Sequence, residues 1–204
     1  EDIIAFISAP AGKLYFMQPA EVFFSYLQVA VCTGFLVTVP VWAYQLWRFV
    51  RPALTGKERR GVFLLVPAAV ILFYSGLAFS YALVLPPAMR FFMDFASSSL
   101  QPMFSLSAYL SFFMSFTVPF GLAFELPLVL LVLSRLGLVT PQGLRRKRKA
   151  FIVLDFIFAA VISPTGDSFP QMMIALPVLI LYEGSILVMK WLDKGRLGSR
   201  NYVP

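Results

Sequence analysis

Histidine is absent from this 204-residue chain, and cysteine occurs once, as Cys32. Without histidine the chain lacks the commonest general base and the commonest metal ligand. The two shortages together exclude a Cys/His nucleophile and a zinc centre built from such ligands. A single cysteine also excludes an intrachain disulfide, and its place in an apolar stretch reads as packing. Charge is scarce as well: charged residues make up 13% of the chain, where a soluble domain carries about a quarter. No phosphate-binding loop, GxSxG elbow or paired-carboxylate motif is present, so the sequence predicts neither an enzyme nor a bound cofactor.

Apolar residues fill the space, at 59% of the chain with a mean hydropathy of +0.81. They come in runs, and about 20 such residues are needed to cross a bilayer as a helix. Five runs are predicted as spans, at about 22–49, 62–85, 108–133, 150–163 and 169–192. Residues 1–20 form a loop with a short helical piece, and 193–204 form a tail. The second span is expected to stop at Pro86-Pro87, and the fifth to be broken by Pro177. The fold class is therefore all-α, a polytopic membrane helix bundle forming one transmembrane domain over 1–204. The fourth run is short for a bilayer of about 30 Å. With the proline-broken fifth run, it should thin one flank of the bundle and the lipid beside it.

The net charge of +7 could suggest nucleic acid, but the cations sit between the apolar runs, so no nucleic-acid partner is expected. The stretch from Arg48 to Arg60 holds five basic residues and one acid, and Arg145-Arg146-Lys147-Arg148-Lys149 is wholly basic. The alternate loops are nearly neutral. By the positive-inside rule the basic loops and the tail are cytoplasmic. Five spans ending inside put residues 1–20 outside. The chain opens on Glu1 rather than a methionine and lacks the features of a signal peptide. The expectation is thus a sixth span upstream.

Glu125 lies deep in the third run, in Pro119-Phe120-Gly121-Leu122-Ala123-Phe124-Glu125-Leu126-Pro127. An intramembrane carboxyl costs several kcal/mol unless neutral, paired or wet, which makes it a functional candidate. A structural polar pair, a proton relay and a contact with a partner polypeptide all remain open for it. Glu183 and Asp155 sit in later runs, and either interhelical hydrogen bonds or a groove for partner helices would account for them. Glu58 is the lone acid of its basic loop. It is either a solvated surface charge or an acceptor for a ligand guanidinium, which pairs strongly with carboxylate. Asp167 is an ordinary turn or helix N-cap residue.

The stretch Tyr44-Gln45-Leu46-Trp47-Arg48-Phe49…Pro52-Ala53-Leu54…Lys57-Glu58-Arg59-Arg60 closely resembles the TatC family of the twin-arginine protein translocase. So do Phe120-Gly121-Leu122-Ala123-Phe124-Glu125-Leu126-Pro127, the Ser163-Pro164…Asp167 turn and Ala175-Leu176-Pro177…Leu181-Tyr182-Glu183, all in family order. The resemblance implies a six-helix subunit of a bacterial cytoplasmic (inner) membrane with its C-terminus in the cytoplasm. It implies recognition of twin-arginine signal peptides and export of folded proteins driven by the proton-motive force. The implied partners are the lipid bilayer, single-span TatA and TatB subunits, and other TatC copies. The arginine-pair site then falls on Glu58, with Phe49, Leu54 and Arg60 on the same face. Other positions of weight are Pro10 and Asp167 outside, Glu125 in the membrane, and Gln171 and Glu183 toward partner helices. Asp155 has no counterpart in the family pattern, and Thr165-Gly166 and Pro170 depart from it. The rival is a proton-coupled secondary transporter with Glu125 as its relay. Such proteins usually carry an internal repeat, and none is visible.

Overall fold

The computed structural model describes residues 4, 7–8, 14–50, 59–94, 103–163 and 167–200, with the side chains of 50, 59–64 and 192–200 left aside. The described chain is helical almost throughout. In order come α1 (Pro19–Val50), α2 (Arg59–Phe79), a π-helical segment (Ser80–Val84), α3 (Leu85–Met93), α4 (Leu106–Ala123), α5 (Leu126–Arg135), α6 (Pro141–Arg146), α7 (Arg148–Ile162) and α8 (Ser168–Arg200). Four stretches among the described residues are long and apolar enough to cross a membrane: Pro19–Phe49, Leu65–Met93, Leu106–Arg135 and Ser168–Trp191. The fifth, α7, has 15 residues and at 1.5 Å per residue spans only about 22 Å.

Three prolines, Pro86, Pro87 and Pro177, fail to act as the breakers that the sequence predicts. The second helical column does not stop at Pro86-Pro87 but runs on to Met93. The π-helical segment immediately ahead explains this, because the Leu85 N–H donates to the Ser80 carbonyl five residues back. The widened turn gives the rings room, and the prolines fall in the first turn of α3, where their missing N–H groups are tolerated. Pro177 likewise lies inside a continuous α8, which extends into the predicted tail as far as Arg200. Prolines are tolerated inside membrane helices where neighbouring helices and local adjustments of the backbone satisfy the groups they free.

Elsewhere local chemistry sets the ends. Gly137, at φ 75°, closes α5: the Leu138 N–H reaches the Leu133 carbonyl and the Gly137 N–H that of Ser134. This is the paired closure that a left-handed glycine permits. Thr140 then caps α6 through the Gly143 N–H, with Pro141 in the first turn.

The bundle packs α2 on α4, with α1 beside both, and joins α5 and α7 to α8. The tightest crossing is glycine-made: a Cβ on Gly76 would lie 2.5 Å from the Phe120 carbonyl oxygen, and one on Gly121 would meet the Phe73 ring. Small residues let membrane helices approach this closely. The central core of Val84, Ala88, Phe116, Phe120, Ala159 and Ile174 ties α3, α4, α7 and α8 together. The outward faces are apolar, with Val31, Val41, Trp42 and Val161 all exposed, as a lipid solvent demands.

Candidate functional site

The carboxyls that the sequence singles out are held in three different ways. Glu125 occupies the interruption between α4 and α5. Phe124 and Glu125 form a turn there, with the Phe124 N–H on the Phe120 carbonyl and the Glu125 N–H on that of Leu122. Pro127, lacking an N–H, cannot donate to the Ala123 carbonyl and so favours the break. Phe79 backs the turn, its ring centroid 5.3 Å from Phe124 and 5.7 Å from Phe120. The Glu125 side chain is half-buried and makes no hydrogen bond or ion pair among the described residues. It is therefore placed at the turn between α4 and α5, without a partner among the described residues.

Glu183, on α8, forms an ion pair with Arg148 at the start of α7. The neighbouring Tyr182 ring stacks on Phe151 at 3.8 Å, and its hydroxyl donates to the Leu144 carbonyl at 2.9 Å. These contacts fix the basic end of α7, and the short α6, against α8. Gln171 donates its amide to the Phe156 carbonyl at 2.9 Å, joining α8 to α7 near the opposite end. Both residues expected to face partner helices thus have partners within the chain. Asp167 is exposed just ahead of α8, and its carbonyl accepts from the Gln171 N–H, the backbone position of an N-cap residue.

Asp155 is different: it sits in mid-α7, buried, with neither carboxyl oxygen hydrogen-bonded among the described residues. The sequence marks it as a carboxyl within an apolar run, but no interhelical hydrogen bond forms among the described residues, and its burial arises only where α7 packs against α4 and α8. Nor does the sequence mark Arg148 as a pairing residue, since it is one cation of the basic run that leads into α7.

At the basic end, Phe49 in the last turn of α1 is 81% exposed. Arg60 lies in the first turn of α2. Glu58 and Leu54, between those helices, lie outside the described residues, as does Pro10. At the other end, Glu21 gathers two loops: one carboxylate oxygen accepts from the Met17 N–H, the other from the Ser107 N–H and hydroxyl. Tyr15 pairs its backbone with Phe104 and Leu106 beside this clamp, and the Tyr109 hydroxyl donates to the Ile7 carbonyl. The sequence gives no hint of this clamp, which joins residues 86 positions apart. Among the described residues no group of three or more acids or cysteines could hold a metal.

Comparison with known proteins bears on all of this. Residues 1–177 match the family described as TatC, Sec-independent protein translocase protein. The chain is 36% identical over 186 residues to the Sec-independent protein translocase protein TatC of Carboxydothermus hydrogenoformans, covering 91% of this chain and 76% of that one. It is 39% identical over 185 residues to the TatC of Aquifex aeolicus, covering 90% and 76%. Among solved structures, the crystal structure of a twin-arginine translocase receptor, TatC, superposes with a TM-score of 0.83 at 36% identity, covering 93% of this chain and 86% of that one.

Proposed function

This chain belongs to the TatC family of Sec-independent protein translocase proteins, and from that premise we propose how it recognises its cargo. It is a multi-pass membrane subunit of the twin-arginine translocase, not an enzyme. The competing transporter reading is not favoured by the family match or by these relatives. The receptor surface is the basic end of the bundle, with Glu58 as the carboxylate that receives the paired arginines of a signal peptide. Phe49, Leu54 and Arg60 stand near it in the sequence, and the exposed Phe49 ring offers the peptide an apolar seat. The reading is supported above all by charge. Around Arg48–Arg60 a single acid stands among five cations, so an incoming cationic peptide has one attractive point and a repulsive surround, which sets its register.

The basic end faces the cytoplasm, by the same charge asymmetry, and membership of the TatC family supports a bacterial inner membrane as its location. Glu125, at its bend, meets the partner helices of TatA or TatB or the apolar part of the signal peptide. Gln171 and Glu183 contribute indirectly, by holding α7 and α8 as the wall those partners approach. Pro10 and Asp167 shape the outer loops.

Binding of a twin-arginine peptide to the protein in nanodiscs tests this. Glu58→Ala should weaken it about tenfold or more, the loss expected from one charge-assisted pair, and a twin-lysine peptide should bind poorly to both. Unchanged affinity in Glu58→Ala would move the arginine site elsewhere.

A further inference from the structure

A groove of about 620 Å³ lies between the α4–α5 junction, α7 and α8, walled mainly by Leu122, Leu126, Phe151, Phe158 and Val178. Its one charged lining residue is Asp155, 4% exposed and unpartnered at both oxygens among the described residues. Leu154, Ile157, Phe158 and Val161 flank the opening and are exposed on the outer face of α7. The volume lies in the range of small-molecule sites, about 300–1,000 Å³, which are mostly apolar with a few convergent polar groups. A ligand complementary to this site has an apolar body and one cationic N–H donor, since charged donors make the strongest bonds to carboxylates. Among the described residues none is supplied: neither carboxyl oxygen has a partner, and Arg148, two turns away on the same helix, is engaged by Glu183.

We propose that this groove binds a membrane-dissolved amphiphilic amine, its ammonium seated on Asp155 and its alkyl body lying along Phe158 and Val161. This site is independent of the signal-peptide surface at Glu58. An aliphatic amine is a much stronger base than a carboxylate, so the shared proton resides on nitrogen and the bound pair is ionic. A primary ammonium has three N–H donors, two of which match the two free oxygens. A partner transmembrane helix fits the groove less well. Its axis would ride about 8–10 Å from that of α7, over the Leu154–Val161 ridge, leaving the carboxyl below its reach.

The test is photolabelling of the protein in phosphatidylcholine nanodiscs with a diazirine-bearing dodecylamine and, in parallel, the matching dodecanol. The amine should label residues 122–126 and 151–161 saturably, and Asp155→Asn should cut that labelling about tenfold while leaving the alcohol's unchanged. Leu154→Trp, which keeps the carboxyl and crowds the opening, should reduce labelling by both probes. Equal amine labelling in the wild type and Asp155→Asn would overturn the proposal, as would amine label spread evenly over the lipid face of α1. Should Asp155→Asn fail to fold, undiminished amine labelling of Leu154→Trp would overturn it instead.

Discussion

Glu125 stands where a long helical column is interrupted between two prolines, whereas Asp155 stands in the middle of an uninterrupted helix. Both are carboxyls among apolar residues, yet their surroundings differ in kind. The bend around Glu125 leaves its side chain half-buried, with room for an incoming group beside a backbone already relieved of one hydrogen bond at Pro127. Asp155 is enclosed by its neighbours' packing and has no such outlet; its only opening is the apolar groove. A polar group at an interruption weighs little on the fold, while one sealed into a regular helix weighs on it until a ligand pairs it.

Removing the support of the bend should have the largest effect. Gly76 carries the backbone contact with Phe120, five residues before Glu125. Gly76→Leu should destabilise the bundle by about 3 kcal/mol or more, at the upper end of overpacking costs, seen as a large fall in the thermal midpoint in detergent. A midpoint unchanged within a degree would mean that the crossing is not what holds the bend.

The two carboxyls should then respond in opposite ways. Asp155→Leu replaces an unpaired buried carboxyl by an apolar group of similar size and should stabilise by about 1–3 kcal/mol, raising the midpoint. Glu125→Gln should shift stability by less than about 1 kcal/mol, because the side chain is half-buried and unpaired, while lowering export of a folded twin-arginine reporter. A stability loss at both positions, or an export defect at Asp155 alone, would reverse the contrast.

Much of this contrast could be read in advance at Glu125 and little at Asp155. Pro119, Gly121 and Pro127 announce an interruption around Glu125 because each weakens the backbone locally. The apolar runs and basic loops place the helices for the same reason: hydropathy is a local property. Pro86-Pro87 and Pro177 mislead, since whether a proline breaks a helix depends on what the neighbouring turns can absorb, at Pro86-Pro87 through a π-helical widening. The burial of Asp155 and the Glu21 clamp on Ser107 arise only when distant segments meet. The pairing of Glu183 was equally hidden: its partner, Arg148, is one of five consecutive cations, and nothing in their order says which turns toward α8.

That ion pair should give the smallest effect. Arg148 and Glu183 are each a little over two-fifths exposed, so water screens their attraction, and exposed pairs contribute about 0.2–1 kcal/mol. A double-mutant cycle with Arg148→Ala and Glu183→Gln should return a coupling in that range, shrinking as salt is raised. The Tyr182–Phe151 stack and the Tyr182 hydroxyl on Leu144 remain in both variants, so α6 should keep its place against α8. A coupling well above 1 kcal/mol would show instead that Glu183, unlike Asp155, is a carboxyl whose pairing the bundle depends on. The distinction between carboxyls at the margin and carboxyls in the packing would then have to be redrawn at this end of α7.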